Sequence, residues 1–234
     1  MRISFLLLPL FSLASCSQST ESVEERFALV LRESSSPAVW KDGRGSNPRL
    51  DQAIKRFQAL GESTIPFLRE ELMGPSTDRS YWAAHLLTAF RVPAACKALL
   101  DGAKHAQANT TRVRCLIGLG ELQCKTAEEY LHDVSTRSSV AFRSLAQINA
   151  KVARALAENE LELEIAEASE RNAHRVLVAA EVLESVGNRG SVSVLESAQV
   201  EVEEVLSSSS TSRSDLKGVR TAIQRAINRI KRRL

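Results

Sequence analysis

No contiguous catalytic signature runs through this chain of 234 residues. It has no HExxH helix, no glycine-rich phosphate loop and no Gly-x-Ser-x-Gly elbow, which removes the readings that rest on those motifs. A catalyst would have to be assembled from loops that no motif connects. Charge of one sign is also missing: 31 Lys and Arg against 28 Asp and Glu leave +3, too little to argue nucleic-acid binding from net charge. The one strongly apolar segment, 5–13, is too short to cross a bilayer as a helix. Histidine is scarce and scattered, at His85, His105, His132 and His174. Glu128, His132 and Asp133 do lie close, with Glu128 one helical turn before His132, a spacing that can hold a metal. Ordinary charge pairing on an exposed helix side accounts for the same pattern, so we expect no metal and no resident cofactor.

What the chain does have begins with an address. Residues 1–15 carry a single positive charge at Arg2, the apolar segment and then small residues, the layout of an export signal. It ends in Leu13-Ala14-Ser15-Cys16, which resembles the lipobox of bacterial lipoproteins. The resemblance implies that Cys16 is lipidated on sulfur and becomes the first residue of the mature protein. Acyl chains contribute about 0.8 kcal/mol per buried methylene, so several of them anchor a protein permanently. Ser17 stands where aspartate often keeps such proteins at the inner membrane, which favours the periplasmic side of the outer membrane. The competing readings are an ordinary cleaved signal that happens to contain a cysteine, or a buried apolar helix.

Beyond the anchor segment (16–46) the chain repeats itself. Thr20 to Glu33 reads as an amphipathic helix with Thr20 as its cap, followed by a Ser/Gly/Pro-rich loop that Trp40 tethers. From residue 47 to 206 one pattern recurs: three apolar residues at i, i+3 and i+6, then a stop. Ile54, Phe57 and Leu60 precede Gly61; Ala84, Leu87 and Phe90 precede Arg91; Val113, Leu116 and Leu119 precede Gly120. Phe142, Leu145 and Ile148 precede Asn149, and Ala180, Leu183 and Val186 precede Gly187. The stops are 30, 29, 29 and 38 residues apart; each is a turn position, and at Gly120 we expect the left-handed conformation that ends the helix. A second helix follows each of the first four stops, its apolar residues being Ile65 and Leu68, Ala95 and Ala98, Cys124 and Ala127, and Ala153 and Leu156. Pro66 and Pro93 fall in first turns, where a missing amide donor costs nothing. Paired amphipathic helices of this kind bury their apolar faces by stacking on neighbouring units.

On Phe57-Gln58-Ala59-Leu60-Gly61 leading into Ile65-Pro66-Phe67-Leu68, and on Val113-Arg114-Cys115-Leu116-Ile117-Gly118-Leu119-Gly120, the chain resembles the HEAT repeat family and its phycobilisome-lyase-like branch. The resemblance implies an all-α fold: an α-α superhelix of about five helical hairpins with capping helices at both ends. It also implies that the repeat surface binds other macromolecules. The expected function is therefore a lipid-anchored envelope adaptor for a protein partner. The alternative is a lyase-like enzyme or cofactor handler, because that branch includes proteins acting on bilin attachment; no active-site residue carries over.

The later part of the chain departs from the pattern. Leu161, Leu163 and Ile165 alternate with glutamates at a period of two, which permits a strand, although Ala/Glu-rich flanks favour an extended or broken helix. Residues 192–205 are rich in valine and poorly phased. From Glu158 to Leu206 there are 12 acidic and 3 basic residues; from Arg213 to Leu234 there are 8 basic and 1 acidic. Segment 207–234 opens with serines and continues as a helix whose stripe is Leu216, Val219, Ile223, Ile227, Ile230 and Leu234. We expect that stripe to dock on the acidic last repeat, leaving Arg229, Lys231, Arg232 and Arg233 in solvent as candidate contacts to an anionic surface. Of the remaining cysteines, Cys115 and Cys124 lie on two helices of one hairpin and Cys96 lies in the preceding unit, so the pairing stays open. Tyr81 and Trp82 either pack on the preceding loop or present a stacking surface, packing being favoured.

Overall fold

The computed structural model describes residues 22–34, 48–165, 170–208 and 213–234. The export signal, Cys16, Thr20, Trp40 and most of the loop around it lie outside those residues. Twelve α-helices follow in order among them: α1 (Val23–Ser34), α2 (Pro48–Leu60), α3 (Ile65–Met73), α4 (Thr77–Phe90), α5 (Pro93–His105) and α6 (Asn109–Glu121). Then come α7 (Glu128–Ser135), α8 (Ser139–Ile148), α9 (Ala150–Ile165), α10 (Glu170–Val186), α11 (Arg189–Ser208) and α12 (Arg213–Arg233). No strand occurs among the described residues. The chain is all-α, as the 3.6-residue periodicity requires.

Local chemistry explains the helix starts. The α1 helix begins three residues after the expected cap: the Ser22 hydroxyl accepts from the Glu25 amide at 3.1 Å and the Glu25 carboxylate accepts from the Ser22 amide at 2.8 Å. This reciprocal pair satisfies two otherwise orphaned donors. Ser76 and Ser138 accept from the amides of Arg79 and Ala141 in the same manner, opening α4 and α8. Pro93 heads α5 and Pro66 sits in the first turn of α3.

The middle residue of the repeated triplet is buried in every copy: Phe57, Leu87, Leu116, Leu145 and Leu183. Along the chain α2, α4, α6, α8, α10 and α12 touch in succession, while α3 meets α5 and α9 meets α11. The apolar faces join in one cluster that runs from Phe27 to Ile230. Trp82 is fully buried inside it, edge-on to Phe57 at 6.1 Å between ring centroids. Tyr81, half-buried, turns its ring edge to His85 at 4.9 Å. The pair therefore packs on the core and on its own helix rather than forming a shared exposed platform.

Two of the five stop positions have a positive φ, and Gly120, the expected left-handed one, is not among them. Gly61 has φ 78° and Arg91 has φ 52°. Gly120 is helical; α6 continues through Glu121 and the left-handed residue is Gln123, at φ 52°. A glycine is required at 120 for another reason: a Cβ there would stand 2.9 Å from Ser144 Cα on α8, so its absence lets α6 and α8 approach closely. Asn149 is extended, at φ −141° and ψ 87°, and its Oδ1 accepts from the Val152 amide to start α9. Gly187 closes against α12, where a Cβ would stand 2.6 Å from Ile230.

The long interval before Gly187 is filled by longer helices. α9 has 16 residues and α10 has 17, so the alternating Leu/Glu segment is helical through Ile165. Its Leu161 is buried. The valine-rich run is also helical, in α11, because Val192, Leu195 and Val202 face the core while Val200 is left exposed. Tertiary burial there outweighs the modest helix cost of β-branching.

Candidate functional site

A highly charged concavity lies at the C-terminal end, where α12 crosses α10 and α11. Its groove, about 970 Å³ in volume, includes Arg220, Arg225, Arg229, Arg232 and Arg233 against Glu184 and Glu203. The expected seat of α12 is present: Val219, Ile223, Ile227 and Ile230 are buried, Leu216 is partly so and Leu234 is exposed. The terminal basic residues Arg229, Lys231, Arg232 and Arg233 are exposed, and three of the four also reach neighbouring helices. Arg229 donates to Glu184 at 2.8 Å, Lys231 donates to Glu196 at 2.7 Å, and Arg233 donates to the carbonyls of Ser185 and Gly187 at 2.7 and 3.4 Å. The last carbonyls of α10 have no helical partner and attract such donors. Arg232 is exposed and makes no ion pair among the described residues.

Glu184 organises this end. It is a buried carboxylate on α10 and accepts from Arg225 Nε at 2.6 Å as well as from Arg229. Burial pushes its carboxyl up, but the hydrogen bonds and charges of Arg229 and Arg225 outweigh that and hold it below the usual carboxylate range. Sequence reasoning missed this residue. The signal was present as a single glutamate next to Leu183 in the apolar column, opposite the arginines of α12.

The chain matches no protein-family model, no curated protein and no solved structure. The reading of its surface therefore rests on its own geometry.

The residues singled out as weak metal candidates are engaged separately. Glu128 accepts from Asn149 Nδ2 at 2.6 Å, and Asp133 faces Arg137 at 3.6 Å across an exposed helical turn. His132 is exposed. Among the described residues no group of three His, Cys, Asp or Glu stands close enough to hold an ion.

A disulfide joins Cys96 to Cys124, with Cα atoms 5.6 Å apart, and among the described residues Cys115 is a free, buried thiol. The bridge thus ties the start of α5 to the turn before α7, and the Cys115–Cys124 alternative is not formed. Cys115 is committed elsewhere, since a Cβ on Gly102 of α5 would meet its Sγ at 2.7 Å. Gly102 lies six residues beyond Cys96, about 9 Å along the helix. Burial pushes the Cys115 thiol up to about 12 despite the opposing charge of Arg114, which leaves it inert as a nucleophile.

A second hollow, of about 550 Å³, lies among α6, α8, α9 and α10. Phe142 and Val178 supply apolar lining and the Glu160–Arg175 ion pair, at 2.5 Å, crosses it.

His85, half-buried on α4, is lowered to about 4 by burial and by Arg114, against the opposite pull of Glu121. Arg114 donates to both oxygens of Glu121 at 3.2 Å. A folded-state value below that of the unfolded chain means stability is full above about pH 6.5 and is lost as pH falls towards about 4. The loss should amount to roughly 2–3 kcal/mol across that window. Replacing His85 with Gln should flatten that part of the pH profile of urea unfolding. An unchanged slope in the variant would show that other groups carry it.

Proposed function

We propose that this chain is a lipid-anchored adaptor of the bacterial envelope, held at Cys16 and binding a protein partner along a HEAT-like α-α superhelix. The observation that carries the reading is the order of packing: α2, α4, α6, α8, α10 and α12 touch in succession. Stacked hairpins produce that order, and their extended surfaces suit macromolecular partners. The Cys96–Cys124 disulfide supports an oxidising compartment outside the cytoplasm. The Leu13-Ala14-Ser15-Cys16 segment supports lipidation, with Ser17 favouring the outer membrane. No helix among the described residues is long and apolar enough to cross a membrane, so in this reading acyl chains supply the attachment.

Two measurements test it. Cys16→Ala should yield a folded protein with no attached lipid that moves from the membrane fraction to the soluble one; continued lipid-dependent membrane retention ends the lipoprotein reading. Affinity capture of the full chain with crosslinking should recover a discrete protein partner at the envelope. Recovery of a bilin or another small cofactor in stoichiometric amount would favour the lyase-like reading instead.

A further inference from the structure

We infer that the groove over α12 is a docking site for an acidic, extended segment of a partner protein. The inference rests on the protein-binding reading above and names the chemistry of the partner. Five arginines face two carboxylates in the lining, so the groove keeps an excess of positive charge after internal pairing. Arg225 and Arg229 are fixed by Glu184, yet each remains more than half exposed, at 54% and 65% of the side chain. Arg229 reaches Glu184 through Nη1 alone, leaving its other guanidinium donors to solvent. Arg220 meets Glu203 only at 3.5 Å with both side chains about half exposed. Together with Arg232, these groups offer fork-shaped donors suited to carboxylates.

A row of amides selects among polyanions. Gln199 Nε2 donates to Gln224 Oε1 at 3.0 Å, and Gln224 Nε2 donates to Asn228 Oδ1 at 3.2 Å. The relay leaves Gln199 Oε1 as an acceptor and Asn228 Nδ2 as a donor, both on groove residues. A polypeptide backbone presents both an N–H and a C=O to such a pair, whereas a phosphodiester backbone has no donor for the acceptor. The carboxylates of Glu184 and Glu203 also repel a dense row of phosphates, but tolerate a chain in which acidic side chains alternate with neutral ones. The volume, about 970 Å³, stands at the upper end of the ~300–1,000 Å³ typical of small-molecule sites and suits a peptide run.

The test uses the full chain in neutral detergent and three fluorescent probes: a dodecapeptide alternating glutamate and glycine, phosphatidylglycerol vesicles, and a single-stranded oligonucleotide. The peptide should bind, weaken with added salt, and lose at least about tenfold in affinity in the Arg220→Glu/Arg232→Glu variant. Both side chains are exposed, so that variant should keep its melting temperature, and Arg220→Lys/Arg232→Lys should retain most of the binding. Equal peptide affinity in the charge-reversed variant overturns the inference. So does tighter binding of vesicles or oligonucleotide, or self-association of the chain that the same variant abolishes. A photocrosslinker at Asn228 and another at exposed Glu129 separate this inference from the adaptor reading. A partner linked at Glu129 and never at Asn228 leaves the adaptor intact and removes the groove.

Discussion

Replacing Ile223 and Ile227 with aspartate should detach α12 and lower unfolding free energy by about 5 kcal/mol or more. Both side chains are buried, at 0% and 3% exposure. Burying one such aliphatic side chain contributes about 1.5–3 kcal/mol, and a carboxylate in the same apolar seat adds a desolvation cost. For a chain of this length each kcal/mol moves the melting temperature by roughly 2–4 °C, so a fall of 10 °C or more is expected. Calorimetry and urea unfolding measure it, and native-state hydrogen exchange should place the first loss of protection in α10 and α11, the helices on which α12 rests. The contrasting variant changes Lys231, Arg232 and Arg233 to Gln. The Lys231–Glu196 pair is more than half exposed on both sides, so its loss costs about 0–1 kcal/mol. Arg233 adds its carbonyl contacts, and the triple change should cost about 2 kcal/mol at most. If the isoleucine variant melts like the parent while the charge variant collapses, electrostatics and not the apolar stripe holds α12 on α10 and α11.

Removing the disulfide, by changing Cys96 and Cys124 to Ala, should cost about 3–4 kcal/mol. The two residues are 28 apart, and freeing a loop of that size restores about that much entropy to the unfolded chain. The bridge also holds α5 against the turn before α7, beside the place where α4 meets α6 through the buried hydroxyl pair Ser80–Thr111 at 2.8 Å. Losing the tie therefore also loosens the packing of α5 against the turn before α7. Reductant should lower the parent to the level of the double variant and leave that variant unchanged. Native Cys115 should resist alkylation until the chain unfolds, as its buried, proton-retaining thiol requires. Peptide mapping that finds Cys115 in the bridge, or three free thiols in protein exported to an oxidising compartment, would sink both the pairing and the estimate.

Much of the fold was legible because helical periodicity is a property of the chain itself. The triplets around Phe57, Leu87, Leu116, Leu145 and Leu183 marked the inward face of five helices, and the structure buries the middle residue of each. The stripe of α12 was equally plain, and its seat on α10 and α11 follows from it. The valine-rich stretch in α11 was ambiguous for a physical reason: β-branched residues disfavour a helix locally, and only their burial against neighbouring helices decides the outcome.

The site was less legible. Glu184 looked like one more acidic residue in an acidic region, yet it is the acceptor for two arginines more than forty positions away. The glycine at 120 had the sequence appearance of a helix stop and serves instead as the point where α6 and α8 come together. Sequence by itself determined the helical class, the inward face of each repeat and the apolar seam of the closing helix, since each depends on spacing along one helix. Only the tertiary structure decided the Cys96–Cys124 pairing, the role of Gly120 and the partners of Arg225 and Arg229. Those depend on which surfaces of different helices meet within a few ångströms, and linear separation does not encode that distance.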